Sequence, residues 1–117
     1  MDGHEAASYF AGRSVCRIRV GAAILNRRGR LVSGGWNHAG SDGLGEHAEV
    51  HAIKRAIKKR KSLKGCAIYV VAWRGPRTIT SKPCDDCWKR LERAKLSDVH
   101  FQFLKTQYHS HTYKERD

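Results

Sequence analysis

Apolar positions recur along this chain with two periods, and the changes of period mark its elements. From Glu5 to Ala11 the composition is helical, with Ala6, Tyr9 and Phe10 able to share one face before Gly12 ends it. Cys16 to Asn26 alternates and then turns into a continuous apolar run, which predicts a strand half buried at first and fully buried later. Arg27-Arg28-Gly29-Arg30 reads as a turn, and Leu31 to Trp36 returns as a second strand. Glycines at 40, 43 and 45 make Asn37 to Gly45 a loop.

From His47 the period becomes 3.6. Val50, Ile53 and Ile57, with Ala52 and Ala56, form the apolar face of a helix whose other faces carry Lys54, Arg55, Lys58, Lys59, Arg60 and Lys61. Gly65 stops it, and Cys66 to Trp73 is an unbroken apolar run suited to the centre of a sheet. Arg74 to Lys82 predicts a hairpin-like excursion around Gly75-Pro76. Cys84 opens a second helix with Trp88, Leu91 and Ala94 on one face, and Asp98 to Leu104 alternates as a final strand. The stretch from Lys105 is polar and aromatic, and reads equally as a C-terminal helix or a tail. The pattern predicts one α/β domain over residues 1–117, with its core at about 14–104 and the order ββαβαβ.

Composition changes this picture little. The chain has 117 residues, a formal charge of +12 and no apolar run near the roughly 18 residues of a membrane span. Its acidic N-terminus lacks the apolar core of a signal peptide, so a cytoplasmic location is expected. The charge favours polyanionic or phosphorylated partners through its long-range field, nucleic acid included. Cys16 and Cys66 sit at the edges of strand-like runs and read as buried small residues.

Chemistry concentrates in two fragments. Glu46-His47-Ala48-Glu49 and Pro83-Cys84-Asp85-Asp86-Cys87 each open a helix. One histidine and two cysteines a helical turn apart can ligate one zinc at about 2.0–2.3 Å, leaving a fourth position for water. Glu49 is then a spare carboxylate able to move that water's protons. Two helix N-termini aimed at one point add partial positive charge. A metalloprotease reading of His47 and His51 fails because Ala48 stands where that motif needs glutamate. A redox reading of the cysteine pair leaves His47 and Glu49 unexplained, and a structural four-ligand site leaves Glu49 idle.

His-Ala-Glu followed by Pro-Cys-x-x-Cys resembles the cytidine/deoxycytidylate deaminase superfamily, over about Val20 to Phe103. Gly35-Trp36-Asn37 is similar to the tRNA adenosine deaminase branch. His47 to Val50 and Ser81 to Cys84 look more like deoxycytidylate-type relatives. The resemblance implies an α/β/α sandwich with a central mixed sheet, zinc on His47, Cys84 and Cys87, and Glu49 as proton shuttle. It also implies that Asn37 hydrogen-bonds the sugar and that backbone near Ala48 and Ser81 holds the base. A neighbouring copy is expected to help complete the site, giving a homo-oligomer. His51 is expected on the helix surface.

The substrate this predicts is the cytosine of a (deoxy)cytidine nucleoside or nucleotide, hydrolysed to uracil and ammonia. Cytosine or adenosine within single-stranded DNA or RNA is the alternative, and a non-catalytic nucleic-acid-binding module with structural zinc is a second. Arg74, Arg77 and Lys82 flank the cysteine motif and are suited to phosphate. Asp42, Glu46, Asp85 and Asp86 crowd the same region, while the cations from Lys54 to Lys64 run away from it. Trp73 and Trp88 are expected in the core.

Overall fold

The computed structural model describes residues 2–39, 45–59 and 62–102 with their side chains, and 103–104 and 107–112 as backbone. In chain order the elements are α1 (Gly3–Ala11), β1 (Ile18–Leu25), β2 (Leu31–Trp36), α2 (Ala48–Lys59), β3 (Ala67–Arg74), β4 (Arg77–Ile79), α3 (Asp85–Arg93), β5 (Asp98–Leu104) and β6 (Gln107–Thr112). They build one six-stranded sheet in the order β2-β1-β3-β5-β6, with β4 paired to the end of β3. Every pairing is antiparallel except β3 with β5, which α3 connects by crossover.

The fully apolar strands are explained by what covers each face. In register, Ala23, Tyr69 and His100 lie across the sheet on one face, as do Leu25, Ala67 and Asp98. There Ala23, Leu25 and Val71 pack against Ala6, Ala7, Phe10 and Ala11 of α1. On the other face Ala22, Ile24, Ile68, Val70, Val99 and Phe101 meet Ala52, Ile53 and Ala56 of α2 and Leu91 of α3. This is the α/β/α sandwich with a mixed sheet. Small residues set how close the layers come. A Cβ on Gly35 would collide with the Ala48 carbonyl and the Ala52 backbone, so glycine there lets α2 lie directly on β2. Ser33 Oγ then donates to the Ala52 carbonyl at 2.8 Å. Asp2 caps α1 by accepting the Glu5 N–H at 2.8 Å, two residues earlier than composition suggests.

Two strands are added to the expected order, the first as the return of the expected hairpin around Gly75-Pro76. The excursion after β3 folds back as β4, with Arg77 opposite Arg74. The stretch expected as a tail or helix instead forms β6 on the edge of β5, with Asp98 opposite Thr112 and Leu104 opposite Gln107. Its sequence, Gln107 to Thr112, is polar, so backbone pairing rather than apolar alternation defines it. Cys66 is buried and Cys16 half-buried, Trp73 packs on the α1 face, and Trp88 sits edge-on to Phe101 at 5.7 Å. Asp42, Arg60, Lys61 and the side chains of the C-terminal strand lie outside the described residues. Among the described residues no helix is long and apolar enough to cross a membrane.

Candidate metal centre

Two helix starts meet at one end of the sheet. His47 stands immediately before α2, and its carbonyl accepts the His51 N–H at 3.0 Å to close the first turn. Cys84 is the residue that begins α3, with extended backbone, and its carbonyl accepts the Trp88 N–H at 2.9 Å. Cys87 therefore lies one turn on, facing the same way. His47 Nδ1 is 3.2 Å from Cys87 Sγ and 3.7 Å from Cys84 Sγ. All three donor atoms lie within 4.8 Å of one another. Tetrahedral zinc with the usual bond lengths holds its donors roughly 3.5–3.8 Å apart, so these side chains fit it with small adjustment. Cys87 is buried while His47 and Cys84 are exposed, so the donor set lies within reach of solvent. Asp85 and Asp86 complement the start of α3 and are both exposed.

Glu49 is 5 % exposed, a low figure for a carboxylate in a first helical turn. Burial pushes its carboxyl up from the ordinary range, partly offset by its own backbone N–H, the His47 imidazole and a hydrogen bond with Cys87. Burial also pushes the Cys87 thiol far up, with Glu49 and Cys84 adding to the effect. Those directions belong to the polypeptide alone. A cation among the three donors works against both, because it favours thiolate and carboxylate. A carboxyl so placed is chemically suited to carry protons between water and a bound base.

A family model of the cytidine and deoxycytidylate deaminase zinc-binding region matches residues 3–103. The chain belongs to this family. It is a zinc-dependent hydrolytic deaminase, with zinc as its cofactor. The deaminase resembles the deoxycytidylate (dCMP) deaminase of the cyanophage S-TIM5 at 26 % identity, over 83 % of this chain and 76 % of that one, with a TM-score of 0.68. Cytidine deaminase from Burkholderia pseudomallei shares the fold at 20 % identity, over 94 % and 89 % of the two chains, with a TM-score of 0.77. The Mycobacterium leprae cytidine deaminase does so at 22 % identity, over 92 % and 88 %, with a TM-score of 0.66. No curated protein matches the chain.

The other expected site residues of the deaminase fall into distinct environments. The Asn37 amide is engaged with β1: its Oδ1 accepts the Val20 N–H at 2.8 Å and its Nδ2 donates to the Ile18 carbonyl at 2.7 Å. Ala48 is fully buried, with its methyl in the core between α2 and the sheet. What it offers a ligand is a first-turn backbone N–H. Ser81 is a strut. Its Oγ donates to the Val70 carbonyl at 2.8 Å and accepts the Gln102 N–H at 2.8 Å, and its own N–H donates to the Gln102 carbonyl at 2.7 Å. Arg74 and Arg77 are exposed and line a hollow of about 340 Å³ with Thr78, Ile79 and Thr80.

His51 does not lie on the helix surface. Its Nδ1 accepts the Trp36 N–H at 3.1 Å, and its ring stands edge-on to Trp36 at 4.5 Å and to His38 at 4.8 Å. His38 Nδ1 donates to the Trp36 carbonyl at 3.0 Å, and its Nε2 is 3.6 Å from Glu46 Oε1. Backbone bonds between His38 and Glu46, 3.1 and 2.7 Å, close the loop that leads into His47. His38, Glu46 and His51 have the composition of a metal triad. The lone pair of His51 Nδ1 is committed to Trp36, however, so in the neutral ring the proton is on Nε2 and the cluster is a clasp. No local sequence pattern announces this, since its members come from the residues after β2, the approach to His47 and α2 itself.

Proposed function

We propose that the deaminase hydrolyses the 4-amino group of cytosine in a (deoxy)cytidine nucleoside or nucleotide, giving uracil and ammonia. The observation that carries the proposal is Glu49, a buried carboxyl in hydrogen-bond contact with Cys87 of the three-donor set. Further support comes from the cyanophage dCMP deaminase, 27 % identical in its complex with dCMP and dUMP over 82 % of this chain.

When bound to His47, Cys84 and Cys87, zinc supplies Lewis-acid activation of the attacking water. The remaining steps belong to the polypeptide. Glu49 accepts a proton from the water and delivers it to ring N3 as the oxygen adds to C4. It then carries the second proton from oxygen to the amine, the C4–N bond breaks, and ammonia leaves. Water and cytosine are consumed in equal number to uracil and ammonia, and Glu49 ends as it began. Ala48 N–H is suited to a polar edge of the base. Asn37 contributes through the remaining hydrogen of Nδ2 and the remaining lone pair of Oδ1, and the Ser81 region through its carbonyl. Arg74 and Arg77 are suited to a substrate phosphate, which favours a monophosphate over a bare nucleoside. A homo-oligomer completing the site is part of this reading, and a monomer by light scattering at working concentration would remove that part.

The test is ammonia release from cytidine, deoxycytidine, their monophosphates, adenosine, and single-stranded DNA and RNA. Turnover is expected on the cytosine nucleosides or nucleotides. Glu49→Ala should lose at least about 10²-fold of it while retaining zinc. Turnover confined to oligonucleotides or adenosine would replace the substrate reading. Equal inactivity of wild type and variant on the whole panel, with zinc bound, would end it.

A further inference from the structure

The ladder between β1 and β2 ends irregularly at Asn37. Strand β2 stops at Trp36, which lies opposite Gly21. The Trp36 N–H points away from β1, to His51. By the alternation of an antiparallel ladder, the next pair, Val20 with Asn37, is therefore one that exchanges two backbone bonds. The first forms, with the Asn37 N–H donating to the Val20 carbonyl at 3.1 Å. In place of the second, the Val20 N–H donates at 2.8 Å to the side-chain Oδ1 of Asn37. Asn37 Nδ2 donates in turn to the Ile18 carbonyl at 2.7 Å, so the amide stands in for the next peptide of β2 along the edge of β1.

The main-chain carbonyl that this amide displaces is taken by Ser14. The turn after α1, with the Ser14 N–H on the Ala11 carbonyl at 3.1 Å, points Ser14 inward while its neighbour Val15 is exposed. Ser14 is 1 % exposed, so its hydroxyl has to find partners inside the fold. Its Oγ accepts the Cys16 N–H at 3.2 Å, which leaves its one proton for the Asn37 carbonyl at 3.0 Å. Cys16 Sγ, 3.7 Å from the same carbonyl oxygen, adds a weaker donor. Without the Ser14 hydroxyl, the carbonyl is drawn back to the Val20 N–H and competes with its own side chain for it.

We propose that Ser14 is a positioning residue for the substrate: by holding the Asn37 carbonyl off β1, it keeps the Asn37 amide inserted in the ladder. This rests on the reading of Asn37 as the contact to the sugar, and extends it to a residue that touches no substrate. The two bonds to β1 admit one amide orientation, since Val20 offers a hydrogen and Ile18 a lone pair. Asn37 is half-buried, and what it keeps for a ligand is one Nδ2 hydrogen and one Oδ1 lone pair in fixed places. A hydroxyl both donates and accepts, so that pair suits a sugar hydroxyl. An amide released from the ladder has to be ordered again on binding, which weakens ground state and transition state alike.

Steady-state kinetics of the zinc-loaded protein and the resonances of the Asn37 side-chain NH2 in isotope-labelled protein test this together. Ser14→Ala should raise KM about fivefold with kcat within about twofold, while retaining zinc. Ser14→Thr, which keeps the hydroxyl, should return KM to within about twofold of wild type. In an Asn37→Ala background, Ser14→Ala should raise KM no further, because its effect passes through that side chain. The Asn37 NH2 pair, assigned by its disappearance in Asn37→Ala, should exchange with solvent at least about tenfold faster in Ser14→Ala. Wild-type KM in Ser14→Ala beside a raised KM in Asn37→Ala overturns the proposal and leaves the sugar contact standing. Wild-type KM in Asn37→Ala ends the sugar contact and the proposal with it. Unchanged NH2 exchange in Ser14→Ala overturns the proposal whatever the substrate proves to be, as does an equal KM rise with and without the Asn37 side chain.

Discussion

Trp36 is held on every side by groups from different parts of the chain. Its N–H is taken by His51, its carbonyl by His38, and its ring by Phe10, Arg13 and Arg55. Asn37 follows it directly, and nine further residues lead to His47, so the clasp fixes both sides of the loop that enters the site. Removing the acceptor leaves a partly buried N–H unsatisfied, a loss of about 1–3 kcal/mol. His51→Leu should therefore lower the unfolding free energy measured by urea titration by that amount. His51→Asn should recover part of it, since a side-chain oxygen at that position can accept the same N–H. Equal stability of wild type and His51→Leu would show that the bond contributes nothing.

At the scale of elements, the contact between α2 and β2 sets where His47 stands. The atoms a Cβ on Gly35 would meet are backbone of Ala48 and Ala52, which cannot rotate away. Gly35→Ala should displace α2, cost about 1–3 kcal/mol and weaken zinc retention against a chelator. Normal stability and zinc retention in that variant would mean the two layers have slack that the structure does not display. The α1 face carries a pH dependence. Burial lowers the pKa of His4, with His100 adding to it, and burial likewise lowers that of His100. Each binds fewer protons folded than unfolded, so stability rises with pH from the lowered folded values up to about 6.5 and is flat above. Thermal melts should shift down between pH 7 and pH 5, and less so in His100→Gln. An identical acid shift in that variant would assign the effect elsewhere.

Across the whole molecule, the apolar pattern predicted β1, β2, α2, β3, α3 and β5 because each buries a face against another layer, and burial writes itself into composition. Strand β6 escaped for the converse reason, and β4 was legible only as the return of the hairpin-like excursion around Gly75-Pro76. Arg77 to Ile79 is three residues long, and Gln107 to Thr112 is polar, so backbone pairing holds both. His47, Cys84 and Cys87 were legible because zinc demands particular atoms at particular spacing. The His38–Glu46–His51 clasp was not, since its parts converge only after α2 docks on β2. For the same reason the sequence nominated Asn37 and Ser81 for substrate without revealing that each also braces the sheet.

We propose that one zinc on His47, Cys84 and Cys87 works with Glu49. Titrating zinc into chelator-treated protein while following ammonia release from deoxycytidine monophosphate or cytidine tests it most directly. Activity should be absent at the start, rise with added zinc and saturate at one ion per chain. Glu49→Gln should bind the same single ion, detected by metal analysis, and remain inactive. Activity independent of zinc, or full turnover by Glu49→Gln, would contradict this pairing of zinc and carboxylate.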